Sequence, residues 1–197
     1  MIDRTARTYR LAAAIGLLLL IQSPGAFLGA EDDKGASTRV ARMVSMLQAR
    51  QGDSFWSLVS RIEEIGKPAI PALKARLAAE SGKTRLGCAK ALLGLGDSAA
   101  RKEALVVLGD LAEKSIEKSV KIDAIGVYGQ VADPDEIIGR LEGQLASETD
   151  PSILISLAVC LWEVDNLSAA RDKLLDLLGS RDPTVSQEAA LALAESG

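Results

Sequence analysis

Apolar and polar residues follow a pattern that recurs along most of the chain. Three segments carry it clearly: residues 84–97 (TRLGCAKALLGLGD), 120–133 (VKIDAIGVYGQVAD) and 185–197 (VSQEAALALAESG). Two weaker copies, residues 54–67 and 153–166, fit the same frame, so successive copies begin 30, 36, 33 and 32 residues apart. Self-similarity at such a period is typical of a stacked repeat array.

Each copy carries one apolar stripe at its first, fifth, eighth, ninth and twelfth places. In the third copy these places hold Val120, Ala124, Val127, Tyr128 and Val131. In the second copy, the last four hold Cys88, Ala91, Leu92 and Leu95. This spacing places the residues on one side of a helix with 3.6 residues per turn. We therefore predict that every copy is an amphipathic helix.

A second amphipathic segment lies between successive copies, at residues 68–79, 98–112, 134–146 and 167–178. Turn-forming residues separate the segments, most clearly the three Asp-Pro pairs at 133–134, 150–151 and 182–183. Proline is favoured at the first position of a helix, and aspartate is favoured just before it. The prediction is an all-α chain, an α-solenoid of antiparallel helix pairs with about four and a half repeats over residues 54–197.

The repeated segments resemble the second helix of the HEAT repeat, including its bilin-lyase-type subclass, whose pattern is close to V-R-x-x-A-A-x-A-L-G-x-L-G-D. Residues 67–73 (KPAIPAL) resemble the start of the first helix of that repeat. The Ala-Ala pair is missing from the first and fourth copies, and only Arg85 and Lys121 fill the Arg position. The resemblance implies a HEAT-like array whose second helices line a concave face that receives a partner.

The chain on either side of the array carries its own signals. Val40, Met43, Val44 and Leu47 follow one helical stripe, which predicts a capping helix over residues 38–50 within an acidic N-terminal region, 31–53. At the other end, Ala189, Ala190, Ala192 and Leu193 are still patterned for burial. We therefore expect either a longer polypeptide or a second copy of the chain to cover this end of the array.

The first thirty residues have the three parts of a secretory signal peptide. Arg4, Arg7 and Arg10 precede the apolar stretch 11–21, and residues 28–30 (LGA) offer a cleavage site near Ala30. The apolar stretch is shorter than the ~20 residues of a membrane-spanning helix. We predict a secreted or periplasmic protein with no membrane association beyond this export step; an uncleaved anchor is the alternative.

Composition limits the kinds of catalytic, metal-binding and nucleic-acid-binding site that the chain can form. The chain has no histidine, which removes His-dependent catalytic pairs and His-ligated metals. Its formal net charge is −4, which argues against a nucleic-acid partner, because phosphate binding needs clustered Lys and Arg. No glycine-rich phosphate loop or calcium loop is present. We expect no catalytic residues, no metal and no cofactor.

The candidate binding residues lie on the second helices, away from the apolar stripe. The fourth, seventh, eleventh and fourteenth places, Gly87 among them, hold mainly acidic and small residues, and we interpret them as an acidic surface for a basic or extended protein partner. A merely solvated helix face is the competing interpretation. Trp56 and Trp162 lie at the edge of the stripe, where they either bind the partner or pack between repeats. The candidates are Trp56, Glu64, Asp123, Gln130, Trp162, Glu163 and Glu188.

The two cysteines are candidates for a disulfide in an exported chain. Cys88 and Cys160 lie two repeats apart. At about 9–10 Å per packed helix layer, their separation is about 20 Å. A disulfide needs Cα atoms within ~7 Å, so the two cysteines are too far apart to form one. Both fall on core-facing places of their helices. We predict two buried, free thiols.

These features favour a non-catalytic scaffold or adaptor that binds another protein outside the cytoplasm. The alternative is an accessory repeat region of a larger exported enzyme, such as a hydrolase or protease, whose catalytic domain is not in this sequence. A self-contained enzyme is disfavoured because no nucleophile, base or metal motif is present.

Overall fold

The computed structural model describes residues 33–196, and all regular structure in that range is helical. The helices are α1 Asp33–Leu47, α2 Gly52–Glu63, α3 Ile70–Ala79, α4 Gly82–Gly94, α5 Ser98–Lys114, α6 Lys118–Val131, α7 Pro134–Ser147, α8 Pro151–Asp165, α9 Ser168–Leu178 and α10 Pro183–Ser196. A short 3-10 turn, Lys67–Ala69, leads into α3. The all-α class is confirmed for these residues, whereas the predicted signal peptide lies outside them.

The helices pack in the order of the predicted repeats. α2, α4, α6, α8 and α10 contact one another in sequence, and we call them the second-helix row. The helices α3, α5, α7 and α9 each pack on the row helix that follows, and the last three also contact the row helix that precedes them. Each pair therefore shares its core with the next pair, as expected of a helical repeat arrangement.

The three Asp-Pro pairs start helices as predicted. The carboxylates of Asp133, Asp150 and Asp182 each accept a hydrogen bond from the backbone N–H two residues later, at 3.0, 3.0 and 2.9 Å. The prolines that follow are the first residues of α7, α8 and α10. Each such cap stabilises its helix by about 1 kcal/mol and helps to fix the residue at which the helix begins.

The predicted apolar stripe forms most of the core. Its named second-copy members are all buried, and so are Val120, Ala124 and Tyr128 of the third copy. Val127 and Val131, also members of the stripe, are only half-buried. Both still pack against the core from its edge.

A second buried line follows the sixth place of each row helix, which the stripe does not include. Val59, Ala89, Ile125 and Ala158 occupy it in the first four copies, and each is at most 2% exposed. The sixth place lies on the flank of the helix beside the stripe, next to the tenth place. The tenth-place Gly129 of α6 lies against Cys160 of α8, so this flank is the one that packs on the next helix.

Glycines allow the row helices to approach closely. A Cβ added at Gly87 would lie 2.8 Å from Leu47 Cδ1 and 3.3 Å from the Phe55 ring, on the preceding helices α1 and α2. Gly87 is consequently buried, and its assignment to the outward places is wrong. Its lack of a side chain lets α1 and α2 occupy the space that an outward residue would have used.

The N-terminal helix α1 packs on the first helices of the array, and its ends differ from the predicted ones. Val40, Met43, Val44 and Leu47 are all buried, and α1 packs on α2, α3 and α4. The helix begins at Asp33 and ends at Leu47, whereas the prediction ran from residue 38 to residue 50. The earlier start follows from Ala36, which is 1% exposed and extends the apolar stripe by one turn.

Both cysteines are buried and free, which confirms the prediction. Burial raises the pKa of each thiol to about 12, with smaller contributions from Glu80 at Cys88 and from Glu163 at Cys160. A thiol must ionise to react as a nucleophile, and these two stay protonated at any physiological pH.

We therefore expect neither thiol to react with a disulfide reagent in the native protein at about pH 8, well below the shifted pKa values. In guanidinium chloride both should react. Spectrophotometric thiol titration in the two conditions checks this, and one rapidly labelled native thiol would contradict the burial of both.

The contact between Gly129 and Cys160 is testable by substitution. A Cβ at position 129 would lie 2.5 Å from Cys160 Sγ, so Gly129→Ala should lower the free energy of unfolding by about 1–3 kcal/mol. Gly126, on the same helix α6, has nothing within 4 Å of an added Cβ. Gly126→Ala should instead raise the free energy of unfolding by up to about 1 kcal/mol through helix propensity.

Chemical denaturation of the two variants measures both effects. Adding Cys160→Ala to Gly129→Ala should recover part of the loss, since it removes the clashing sulfur atom. Equal effects of Gly126→Ala and Gly129→Ala would show that α6 and α8 do not pack this closely.

Candidate protein-binding face

The candidate face is formed by the exposed polar side chains of the second-helix row. We call it the acidic face, and its members are Glu64, Asp123, Gln130, Glu163, Glu188 and Glu195. All are exposed except Asp123, which is half-buried. Glu64 follows the last residue of α2, while the others lie within α6, α8 and α10.

The eleventh place of each copy brings acids into line along the row. It holds Glu64, Gly94, Gln130, Glu163 and Glu195 in successive copies. At Gly94 the gap is filled by the preceding helix, because the Glu63 carboxyl carbon lies 2.7 Å from where a Cβ would stand. The repeat therefore presents a carboxylate or amide oxygen at every step of the row.

Glu163 and Glu195 form a like-charge pair across α8 and α10. Partial desolvation raises the pKa of the Glu163 carboxyl, and the negative charge of Glu195 raises it further. Glu195 was assigned to the outward places but not to the candidate residues, although it shares the eleventh place with Glu163 in adjacent copies. A positive ligand group near these carboxylates would oppose both causes of the raised pKa.

Asp123 is more deeply buried than the other members of the acidic face, and the Lys83 ammonium acts electrostatically on its carboxyl. Burial raises the pKa of its carboxyl, and Lys83 of α4 opposes this shift. The Lys83 ammonium also lies 5.3 Å from the centre of the Phe55 ring of α2. Lys83 of α4 thus interacts with residues of the two neighbouring row helices, α2 and α6. Phe55 and Asp123 are 28 and 40 residues away in the chain, so the sequence pattern does not reveal these contacts.

Acids that lie between helices have close cation partners. Lys90 of α4 pairs with Glu63 of α2 at 3.2 Å, and Lys121 of α6 pairs at 3.1 Å with Glu148, which follows the last residue of α7. The backbone N–H of Asp150 is the main cause that lowers the pKa of Glu148, with the Thr149 N–H and Lys121 assisting. The first helices use further pairs between repeats, Lys74–Glu103 and Arg140–Asp110.

We call these contacts between successive repeats the seams. The acidic face differs from the seams because its acids lack such ion pairs. Across residues 33–196, no ion pair involves Glu64, Asp123, Glu163, Glu188 or Glu195. The array therefore neutralises the acids at its internal seams and leaves those of the acidic face without a bound cation.

The two tryptophans lie at the margin of the core and are not brought together. Trp56 packs edge-on against Phe55, with ring centroids 4.8 Å apart at 79°. Trp162 packs against the core of α8, and both indoles are half-buried. Helices α4 and α6 lie between α2 and α8 in the row, so the tryptophans form two separate contacts.

The described residues contain neither a cluster of metal-ligating side chains nor a helix suited to span a membrane. No group of three or more His, Cys, Asp or Glu side chains in residues 33–196 could hold a metal ion. In the same part of the chain, none of the helices is both long and apolar enough to cross a bilayer.

Comparison with known proteins identifies no relative. No protein-family model matches the chain, and neither a curated protein nor a solved structure matches it. The HEAT resemblance therefore rests on the repeat pattern of the sequence alone.

The like-charge pair generates a pH prediction. The pKa of Glu163 is higher in the folded state than in the unfolded state, so its contribution to stability grows as the pH falls through the folded pKa. At neutral pH its ionised form opposes folding. We expect Glu163→Gln to raise the free energy of unfolding near pH 7 by less than about 1 kcal/mol, as for exposed charges.

This gain should disappear near pH 3, where the wild-type carboxyl is itself protonated. Urea denaturation at both pH values measures it, with Glu188→Gln as the control for a single exposed acid of the same face. A loss of stability at pH 7 in Glu163→Gln would mean that Glu163 has a stabilising cation partner.

Proposed function

We propose that this chain is a non-catalytic scaffold that binds another protein through the acidic face. The partner contributes Lys or Arg side chains from an extended segment that crosses the second-helix row. The observation that carries the proposal is the line of exposed acids at the eleventh place of the row, Glu64, Glu163 and Glu195, which make no ion pair within the described residues.

The unpaired acids support a cationic partner on energetic grounds. Glu163 carries the cost of partial desolvation and of repulsion by Glu195, and Asp123 carries the cost of burial. A Lys or Arg side chain beside Glu163 would offset both costs at the first of these sites. Binding energy is then gained without any rearrangement of the helices.

The spacing of the acids supports an extended segment. Neighbouring packed helices lie about 8–10 Å apart, and an extended peptide advances about 3.3 Å per residue. One helix step therefore corresponds to roughly three residues of the partner. Basic residues three positions apart would meet Glu163 and Glu195 in turn.

The scaffold supports binding because its surface is held rigidly before the partner arrives. The row helices are joined by the buried sixth-place side chains and, between α2 and α4, by the Lys90–Glu63 ion pair. A preorganised surface loses little conformational entropy on association. The half-buried indoles of Trp56 and Trp162 add apolar edges beside the acids.

Two further parts of the proposal rest on the sequence. The repeat pattern supports a HEAT-like array, and the basic, apolar and small-residue order of the first thirty residues supports action in the periplasm or outside the cell. Both are consistent with a protein whose task is to hold a partner in a compartment beyond the cytoplasm.

A peptide titration tests the function. The probe is a fluorescent, otherwise neutral peptide with lysine at every third position, and fluorescence anisotropy measures its binding. The triple variant Glu64→Lys, Glu163→Lys, Glu195→Lys should weaken binding about tenfold at low salt, since each exposed pair contributes up to about 0.5 kcal/mol. The difference should shrink as added salt screens the charges.

Two controls separate this surface from general attraction. The triple variant Glu142→Lys, Asp172→Lys, Asp176→Lys makes the same charge change at exposed acids of α7 and α9 and should leave most binding intact. A peptide of the same composition with its lysines clustered at one end should bind less well. Equal losses in both triple variants, or equal binding of both peptides, would contradict the proposed face.

A further inference from the structure

One part of the acidic face carries apolar side chains as well as acids. The seventh place of each row helix is exposed or half-buried, and in successive copies it holds Ser60, Lys90, Gly126, Val159 and Leu191. Only α8 and α10 have an apolar side chain at this outward place, and Leu191 is 55% exposed. The acidic face is therefore apolar as well as negative where it crosses these two helices.

Trp162 belongs to the same region by its place in the repeat. It is the tenth residue of its copy, as Glu63 is in the first copy. The Glu63 carboxylate reaches the seventh place of the next row helix, where it pairs with Lys90 at 3.2 Å, and it also lies against Gly94. The same step from α8 to α10 leads from Trp162 to Leu191. The repeat thus directs the half-buried indole toward the exposed leucine.

Acids surround these apolar side chains. Glu163 follows Trp162 on α8, while Glu188 and Glu195 lie one turn before and one turn after Leu191 on α10. All three are exposed, and none makes an ion pair within residues 33–196. An apolar centre with a negative rim is complementary to a side chain that has an apolar stem and a cationic head. We call Val159, Trp162 and Leu191, together with these three acids, the Trp162 patch.

The other tryptophan has a different setting. Trp56 is the third-place residue of α2, and Phe55 packs against it edge to face. The outward fourth and seventh places of its helix hold Ser57 and Ser60, where α10 has a glutamate and a leucine. Trp56 therefore provides a matched control for Trp162.

We propose that the Trp162 patch binds one arginine side chain of the partner. The guanidinium stacks on the exposed part of the indole and pairs with the Glu163 and Glu195 carboxylates, while the aliphatic stem packs on Leu191. A planar guanidinium combines these contacts better than the compact, strongly hydrated ammonium of lysine. This inference rests on the proposed binding role of the acidic face, and it specifies which basic residue α8 and α10 select.

Anisotropy titrations with two peptides test the selectivity. Both peptides are fluorescent and otherwise neutral, with lysine at every third position in one and arginine in the other. The arginine peptide should bind the wild type at least about threefold more tightly, the size expected of an exposed cation–π contact. Trp162→Leu should remove this preference, whereas Trp56→Leu should keep it. Circular dichroism should show unchanged helix content in both variants.

Intrinsic fluorescence provides a second measurement, because the chain has two tryptophans. In Trp56→Phe the emission comes from Trp162 alone, and saturating unlabelled arginine peptide should change it. In Trp162→Phe the emission of Trp56 should stay the same. These conservative variants keep the proposal testable if Trp162→Leu fails to fold.

The outcomes separate this site from the broader role. Equal affinity of the wild type for both peptides, loss of the arginine preference in Trp56→Leu, or a response of Trp56 without one of Trp162 would overturn the arginine site alone. Binding of neither peptide to the wild type would overturn both the arginine site and the proposed function.

Discussion

The rest of the structure depends on the packing of each row helix on the next one. A single helix pair buries only the side chains that face its own interior, and its flank remains apolar until another pair covers it. In the first four copies the next helix pair covers this flank and buries the sixth-place residue. Each Å² of apolar surface removed from water stabilises the fold by about 25 cal/mol. No pair is therefore a stable unit by itself, and stability is a property of the stack.

This requirement also determines where glycine is needed. Gly87 and Gly129 both lie where a neighbouring helix approaches within side-chain contact of the backbone. An alanine would favour each helix by itself, yet it would separate that helix from its neighbour. Glycine lowers the helix propensity at these positions, but it allows a closer contact between helices. At Gly129 the small apolar side chain of Cys160 fills the space that a Cβ would occupy.

The charges follow the same division between seam and surface. Ion pairs such as Lys121–Glu148 lie where two repeats meet and are shielded enough for the partners to matter. Glu163 and Glu195 lie outside the seam, and their mutual repulsion is tolerated because water screens most of it. The arrangement holds the helices in register and at the same time leaves a negative surface for an incoming group.

The sequence by itself determined the helices, their order and the starts that Asp-Pro caps mark, because helical periodicity and caps act within a few residues of one another. It also predicted the state of Cys88 and Cys160, since repeat spacing alone keeps them apart. Only the tertiary structure revealed the buried flank at Ala89, Ile125 and Ala158, the burial of Gly87 and the pairing of Glu163 with Glu195. One helix defines a single apolar face, and which of its flanks is covered depends on neighbours about thirty residues away.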